Sequence, residues 1–405
     1  MLIADSSGSL QAVFVAGAYA PGSFNGCTQT KTLRHKAQSR IRGLWVKPFS
    51  LAAALRTLIR ERNWAMQVSN MVATLPVVDL GSTGLAITRV GFGAWAIGGA
   101  DWAVGWGAQS DDESIRAIRH AVDRGVNWID TAAIYGLGHS EEIVARALAE
   151  LPESGRPYVF TKCGQVWDPA DRYSKRRVGR RDSIRGEVEG SLRRLRVDVI
   201  DLYQMHWPAE DGSPLEEYWG ALLELKAEGK VRAIGLSNHD AAQLQTAEAI
   251  GHVDTLQPPL SAIRRKSLAA ELPWCRAHGT GVIVYSPMQS GLLSGAFSAE
   301  RVDALADDDW RKRHADFSGE ALLRNLTVAE AIREVAAQRG VSAAAVAVAW
   351  VLAVEGVTGA IVGARAPQQV DGWLAAATLS LGAADLAHIN AAIRESGAGG
   401  GPIPD

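Results

Sequence analysis

From Leu80 onward the sequence repeats one beat eight times, a short apolar run followed by a longer amphipathic stretch, and this repeat limits the chain to very few folds. The runs read as strands over Leu85–Phe92, Val126–Asp130, Tyr158–Lys162, Val199–Tyr203, Val231–Leu236, a short piece near Thr255, Gly281–Tyr285 and Thr358–Val362. Helical stretches fall between them, at Asp111–Arg124, Ser140–Leu151, Asp182–Leu195, Pro214–Glu228, Ala241–Ile250 and Lys266–His278. Four more follow at Thr327–Arg339, Ser342–Ala353, Pro367–Ala376 and Ala383–Arg394. In the first, Asp111 or Asp112 can cap the helix, and Ile115, Ile118, Ala121 and Val122 form one apolar stripe. Strands that alternate with helices pair in parallel, and eight such units without a domain break close into a barrel. An open doubly wound sheet would carry a Gly-rich phosphate loop after its first strand. Gly91-Phe92-Gly93-Ala94-Trp95-Ala96 lacks the third glycine of such a loop and has no helix directly after it. The expectation is an α/β fold, a single-domain (β/α)8 TIM barrel over residues 75–396, with a flexible Gly/Pro-rich tail at 397–405.

Residues 1–70 break the pattern. Nine Lys or Arg face two acids there, a net +7 in a chain whose formal charge is −2. An Arg-rich, acid-poor segment of this kind reads as a targeting peptide or as a non-native extension ahead of a start at Met66 or Met71, disordered in either case. The near-neutral total gives no reason to expect a nucleic-acid partner, and no apolar run reaches the length of a membrane span. Three cysteines, Cys27, Cys163 and Cys275, stand at no metal-ligand spacing and are too few for a disulfide framework, which suits a reducing cytoplasm. No metal site is expected, and no motif fixes an oligomeric state.

Barrel chemistry sits where strands end at their carboxyl side. The second strand ends in Asp130, with Tyr135 in the loop beyond it. The third ends in Lys162, and the fourth runs Asp201-Leu202-Tyr203-Gln204-Met205-His206. Each residue has an ordinary explanation taken alone: a helix cap, a packed loop phenol, a solvated amine, a turn histidine. Together they place an acid, a phenol, an ammonium and an imidazole at one mouth. An ammonium beside a phenol lowers its proton affinity, and a carboxylate holds the ammonium in place. Such a phenol can protonate a carbonyl oxygen as hydride reaches the carbon, with the imidazole orienting the same oxygen.

Gly125-Val126-Asn127-Trp128-Ile129-Asp130-Thr131-Ala132-Ala133-Ile134-Tyr135-Gly136, followed by His139-Ser140-Glu141, resembles the signature of the aldo-keto reductases. The resemblance continues in order through Thr161-Lys162, Asp201–His206, Gly235-Leu236-Ser237-Asn238, Tyr285-Ser286-Pro287-Met288, Gly291-Leu292-Leu293 and Gly363-Ala364-Arg365. It covers roughly Leu80 to Arg394 and is nearest to bacterial reductases of the inositol-related and general-stress subgroup. It implies NADPH-dependent, reversible reduction of a small aldehyde or ketone, with Asp130, Tyr135, Lys162 and His206 as the catalytic set.

The resemblance also implies a cofactor site without a Rossmann fold, holding NADP(H) or NAD(H). Ser237, Asn238 and Gln257 would bind the carboxamide, and Tyr285 would stack on the nicotinamide. Ser286, Pro287, Met288, Ser290 and Leu292 would line the pyrophosphate path. Gly363, Arg365 and Gln369 would hold the adenosine end, with Gly93, Ala94 and Trp95 between cofactor and substrate. Trp95, Trp102, Trp106 and Trp207 would wall the substrate pocket. Gly372-Trp373 replaces a common Glu-Asn pair that helps hold adenine, while Arg365 still suits a 2′-phosphate. Leu260 stands where many relatives have Tyr. The Arg-rich stretch Arg172–Arg181 reads as a solvated loop, with attraction of an anionic substrate as the alternative. Cys163 reads as a barrel-wall residue. Two other functions stay open: a cofactor-binding regulatory subunit with little turnover, and a lyase using Lys162 as a Schiff-base nucleophile.

Overall fold

The computed structural model describes residues 75–306 and 309–404, together with two short strands, Leu2–Ala4 and Leu10–Ala12, that pair antiparallel with each other. The remainder of the 1–70 extension lies outside the described residues.

Eight parallel strands close into a barrel in sequence order. They are β1 (Val90–Gly93), β2 (Trp128–Asp130), β3 (Tyr158–Cys163), β4 (Ile200–Met205), β5 (Val231–Ser237), β6 (Thr255–Gln257), β7 (Gly281–Val284) and β8 (Gly359–Gly363). β8 pairs with β1 to complete the ring, Gly363 lying opposite Gly93. Helices cover the outside, among them α1 (Asp111–Asp123), α2 (His139–Ala149) and α3 (Arg181–Leu195). The first is capped by Ser110, whose side chain accepts from the Glu113 N–H; the expected Asp111 and Asp112 lie inside the first turn, where they face the positive helix end.

Side chains alternate along a strand, so inward positions recur every second residue. Trp128, Phe160, Leu202, Ala233, Ile283 and Ile361 fill the lower layer, and Leu80, Leu85 and Ile87 plug it from below. Two residues on, the same inward file carries Asp130, Lys162 and Gln204. The plug is a hairpin, Val77–Asp79 with Ala86–Thr88, that turns at Gly81. Gly81 has φ +55°, and a Cβ there would stand 2.5 Å from the backbone N of Gly281, so only glycine fits.

The expected strand Leu85–Phe92 is therefore two. The Thr88 hydroxyl donates to the Val90 carbonyl (2.7 Å) where the chain leaves the plug for the wall. The expected helix Lys266–His278 is also split, into a 3-10 turn at Lys266–Leu268 and a helix at Glu271–His278, because Pro273 can occupy only the first turn. The helix expected to begin at Thr327 begins at Gly319 and runs to Arg339. A hairpin of Gln165–Asp168 and Asp171–Arg177 stands where a solvated loop was expected. The Gly/Pro-rich tail is tied down: the Arg265 guanidinium donates to the carbonyls of Ala398, Gly401 and Pro402, and Asn390 Nδ2 donates to that of Pro404. No single helix among the described residues is long and apolar enough to cross a membrane.

Candidate active site

The carboxyl ends of β2 and β3 present a buried ion pair. Lys162 Nζ lies 2.5 Å from Asp130 Oδ1 and donates also to the Thr131 carbonyl at 2.9 Å. Asp130 Oδ2 accepts from Gln257 Nε2 at 2.9 Å. The two charged side chains are 0% and 3% exposed. Tyr135 stands above this pair, its ring centroid 5.2 Å from Lys162 Nζ and 5.7 Å from the His206 ring, which it meets edge-on. The structure thus brings together all four residues singled out in the sequence.

The surrounding sequence explains the loop that carries Tyr135. Tyr135 N donates to the Ala132 carbonyl (3.0 Å), and the Tyr135 carbonyl accepts from Ser140 N (3.1 Å). Gly136 has φ +62°, and a Cβ there would strike the Gly98 carbonyl oxygen at 2.2 Å. Ser140 Oγ donates to the Ala94 carbonyl (2.9 Å), joining this loop to the end of β1. Glu141 accepts from the Thr161 hydroxyl (2.6 Å) and from Arg194 Nε (2.7 Å), bracing the residue before Lys162.

Burial raises the Asp130 carboxyl and lowers the Lys162 ammonium, and each charge restrains the shift of the other. The Thr131 carbonyl, which accepts from the ammonium, and the Gln257 amide, which donates to the carboxylate, favour the charged pair. Tyr135 differs from the sequence expectation. Burial pushes its phenol well above the ordinary value, and Asp130 and Tyr285 add to the rise. The ammonium that was to pull it down is held by Asp130, so the resting phenol keeps its proton. Burial drives His206 well below the usual imidazole value, reinforced by Lys162, Arg177 and Lys175. A neutral phenol and a neutral imidazole therefore flank the site, each with a hydrogen bond to offer an oxygen atom.

These groups face a cavity of about 920 Å³ that extends across the mouth from Tyr135 to the end of β8. Asn238 and Tyr285 stand beside the quartet: the Tyr285 hydroxyl donates to Asn238 Oδ1 (2.7 Å), and Asn238 Nδ2 donates to the His206 carbonyl (3.0 Å). Ser237 Oγ donates to the Gln257 carbonyl (2.9 Å). Ser286, Pro287, Met288 and Ser290 form the middle wall. Asn238, Ser286, Gln289 and Ser290 all take positive φ, between 44° and 63°, so backbone strain concentrates at this mouth. Gly93, Ala94 and Trp95 form the facing wall, and Gly363, Arg365 and Gln369 the far end.

Two expectations change. Leu292 is fully buried in the core and lies off the cavity wall, because it faces inward at the start of a 3-10 turn. Trp102 also lies behind the wall, its ring 6.2 Å from that of Tyr135, with its indole N–H donated to the Gly99 carbonyl. Trp207 does line the cavity. Arg365 lines the far end of the cavity, and its guanidinium is also engaged by the chain itself. Its guanidinium donates to Gln109 Oε1 (2.7 Å), to the Trp106 carbonyl (3.2 Å) and to the Ala108 carbonyl, so it clamps the loop after β1. Trp373 packs in the core at 1% exposure, its indole nitrogen buried without a partner, and Leu260 is fully buried.

Other wall residues escaped sequence reading. Trp310 stacks on Trp95 (6.2 Å) and meets Trp106 edge-on (5.7 Å), roofing the cavity from the segment after β7. Arg311 lies over Trp106 (5.3 Å) and is paired with Asp309 (2.6 Å). The only signal was an Asp-Trp-Arg run in a stretch without periodicity. Gln165, Lys175 and Arg264 also line the cavity. Among the described residues no cluster of side chains could hold a metal ion.

The donor set fits an extended dinucleotide. Amides and a phenol stand at one end, hydroxyls and a bent backbone in the middle, and guanidiniums beyond. A Cβ on Gly372 would meet nothing within 4 Å, and one on Gly363 only the Gly93 carbonyl at 3.8 Å, leaving room for a base at the far end.

The model of the aldo/keto reductase family matches residues 89–394. The chain is 34% identical over 313 residues to "Aldo-keto reductase YhdN" of Bacillus subtilis, covering 77% of this chain and 92% of the relative. It is 36% identical over 321 residues to the "NADH-specific methylglyoxal reductase" of Escherichia coli, covering 76% and 95%. Among solved structures it is similar to the glycerol dehydrogenase AKR11B4 of Gluconobacter oxydans, with TM-score 0.72, 36% identity, and coverage of 81% and 98%. An aldo-keto reductase of Bacillus halodurans shares the fold at TM-score 0.62, with 23% identity and coverage of 78% and 96%.

Proposed function

Because the chain belongs to the aldo/keto reductase family, and is thus a nicotinamide-dependent oxidoreductase acting on carbonyl groups, we propose that Asp130, Tyr135, Lys162 and His206 are its catalytic residues. Tyr135 is the proton donor. One observation carries this reading: the Tyr135 phenol and the His206 imidazole share a cavity wall above a buried Lys162–Asp130 pair.

When bound, a dihydronicotinamide supplies the hydride. Gln257, Asn238 and Ser237 would hold its carboxamide and Tyr285 its ring. As charge grows on the substrate oxygen, the Tyr135 hydroxyl and the His206 N–H donate to it. The proton then passes from Tyr135 to that oxygen. Lys162 stabilises the phenolate left behind, and Asp130 keeps the ammonium beneath the ring. The high resting proton affinity of Tyr135 holds its proton until the substrate oxygen becomes the stronger base.

A Schiff-base role for Lys162 conflicts with its placement, since a nucleophilic amine must be neutral and reachable. Here it is enclosed and bound to a carboxylate and a carbonyl. The relatives' printed activities, on methylglyoxal and on glycerol, support a small polar carbonyl substrate. We propose further that NADPH and NADH are both accepted with little discrimination, because the engaged guanidinium of Arg365 leaves few donors for a 2′-phosphate.

The test is oxidation of NADPH and NADH in the presence of methylglyoxal and glyceraldehyde. Tyr135→Phe is expected to lower kcat by roughly 10²- to 10⁴-fold, with cofactor affinity and melting temperature unchanged. A Tyr135→Phe enzyme with normal turnover overturns the assignment.

A further inference from the structure

We propose that the substrate pocket selects carbonyl compounds that carry an anionic group, a carboxylate or a phosphate, and that Lys175 is the side chain that binds it; this rests on the carbonyl-reducing reading above.

Lys175 sits on the hairpin that follows β3. Side chains alternate along its second strand, Asp171–Arg177, so residues 175 and 177 share one face. Gln165 pairs with Arg177 across the hairpin. Gln165 and Lys175 line the cavity beside His206 and Trp207, while the Arg177 guanidinium lies 4.4 Å over the Trp207 ring. The hairpin is braced. Trp167 packs into the apolar cluster around Tyr135, Arg172 Nε donates to the Asp101 carbonyl (2.9 Å), and Asp168 N donates to Ser174 Oγ (2.8 Å). The braced hairpin thus places Lys175, itself exposed, at the reacting end of the cavity.

Position separates this lysine from the other cations. Five cationic side chains line the cavity: Lys175, Arg264, Arg301, Arg311 and Arg365. The only carboxylate on that wall among the described residues is Asp130, already paired with Lys162. The four arginines belong to the segments after β6, β7 and β8, where the phosphates of a dinucleotide would lie. Lys175 stands across from them, beside Tyr135, His206 and Trp207, and makes no ion pair among the described residues. A cofactor has no charge to bring to that side. Low-dielectric walls of Trp95, Ile134 and Trp207 strengthen the field of the amine toward a bound anion. A substrate whose carbonyl meets Tyr135 and His206 can place its anionic end on Lys175.

The experiment compares matched substrates: 4-oxobutanoate against butanal, and glyceraldehyde 3-phosphate against glyceraldehyde. In the wild-type enzyme at low salt, the anionic member of at least one pair should have kcat/KM about ten-fold higher, mainly through KM. High salt should shrink that advantage. Lys175→Met should bring the ratio close to one, Lys175→Arg should keep most of it, and Arg176→Met, exposed and away from the cavity, should leave it intact. An advantage in one pair only identifies the anion as carboxylate or phosphate. Turnover of both members at equal efficiency, or a ratio in Lys175→Met equal to that of the wild type, overturns the proposal alone. No turnover of any of the four would overturn the carbonyl reading, and this one with it.

Discussion

The two ends of the barrel are built from the same strands and differ by two residues. At the amino end, Trp128, Phe160, Leu202, Ile283 and Ile361 close on Leu80, Leu85 and Ile87. One step up the same inward files stand Asp130, Lys162 and Gln204, with Gln257 beside them. At this end the backbone takes positive φ at Asn238, Ser286, Gln289 and Ser290, and the indole nitrogens of Trp106 and Trp310 are buried without partners. Strain and unsatisfied polarity cost stability. They persist at the mouth because the apolar plug and the helical shell stabilise the fold as a whole. The contrast teaches that the lower layer should govern stability and the upper layer activity, with the ion pair as the one element that governs both.

The ion pair gives the largest expected effect. Lys162→Met removes the ammonium and leaves Asp130 buried and uncompensated, which should cost about 3–5 kcal/mol of stability and abolish carbonyl reduction. Adding Asp130→Asn should restore most of the stability in chemical denaturation but none of the turnover. A Lys162→Met protein as stable as the wild type would show that the carboxylate is not buried as a charge. Trp128→Ala tests the opposite end, where deletion of a fully buried indole should cost about 3–5 kcal/mol while kcat and KM of the folded enzyme stay within a few-fold. A selective loss of kcat there would break the division between the ends.

The lower layer and the quartet were legible because both rest on short-range pattern. Period-two apolar runs mark inward positions, and Asp130, Lys162 and His206 stand at strand ends that the barrel brings together. The hairpin at Gln165–Arg177 was hidden by its composition, since charged residues outnumber apolar ones on a strand pair that stands out from the barrel. The roof of Trp310 and Arg311 has no period to detect, and it is held by aromatic contacts to residues some two hundred positions earlier in the chain. The clamp formed by Arg365 was equally invisible, because a guanidinium suits a phosphate and a row of carbonyls equally well. The direction of the Tyr135 shift required knowing that the neighbouring ammonium is already neutralised.

Glu187, on the outer side of β3 behind Lys162, offers a smaller and pH-dependent test. Its carboxylate accepts from Gly164 N (2.8 Å) and from the Ser183 hydroxyl (3.1 Å), yet burial raises it from 4.5 to about 7. The folded state therefore holds this proton more tightly than the unfolded chain. Its contribution is fully present below pH 4.5, is lost as pH rises to about 7, and is level above that. Glu187→Gln removes the titration. Relative to wild type, the variant should gain stability progressively over that interval, reaching roughly 1–3 kcal/mol above neutrality. Parallel melting-temperature profiles for the two proteins would show that the carboxyl is not raised.

Arg365 should give the smallest effect and the sharpest reading of the mouth. Two accounts of this guanidinium make different demands. A phosphate ligand must keep its fork free for the 2′-phosphate, so losing it would weaken NADPH alone, by ten-fold or more at a bidentate site. A clamp acts on the loop, and its loss should loosen the wall that both cofactors touch. The geometry favours the clamp: three of the five N–H donors reach the Gln109 side chain and the carbonyls of Trp106 and Ala108, while Gln109 Nε2 donates back to the Arg365 carbonyl at 2.9 Å. Arg365→Gln should therefore weaken NADPH and NADH by the same factor, about two- to five-fold, as expected for one or two exposed hydrogen bonds. Calorimetric titration of both cofactors decides the matter, because a loss confined to NADPH would mean that the guanidinium leaves the loop when a phosphate arrives.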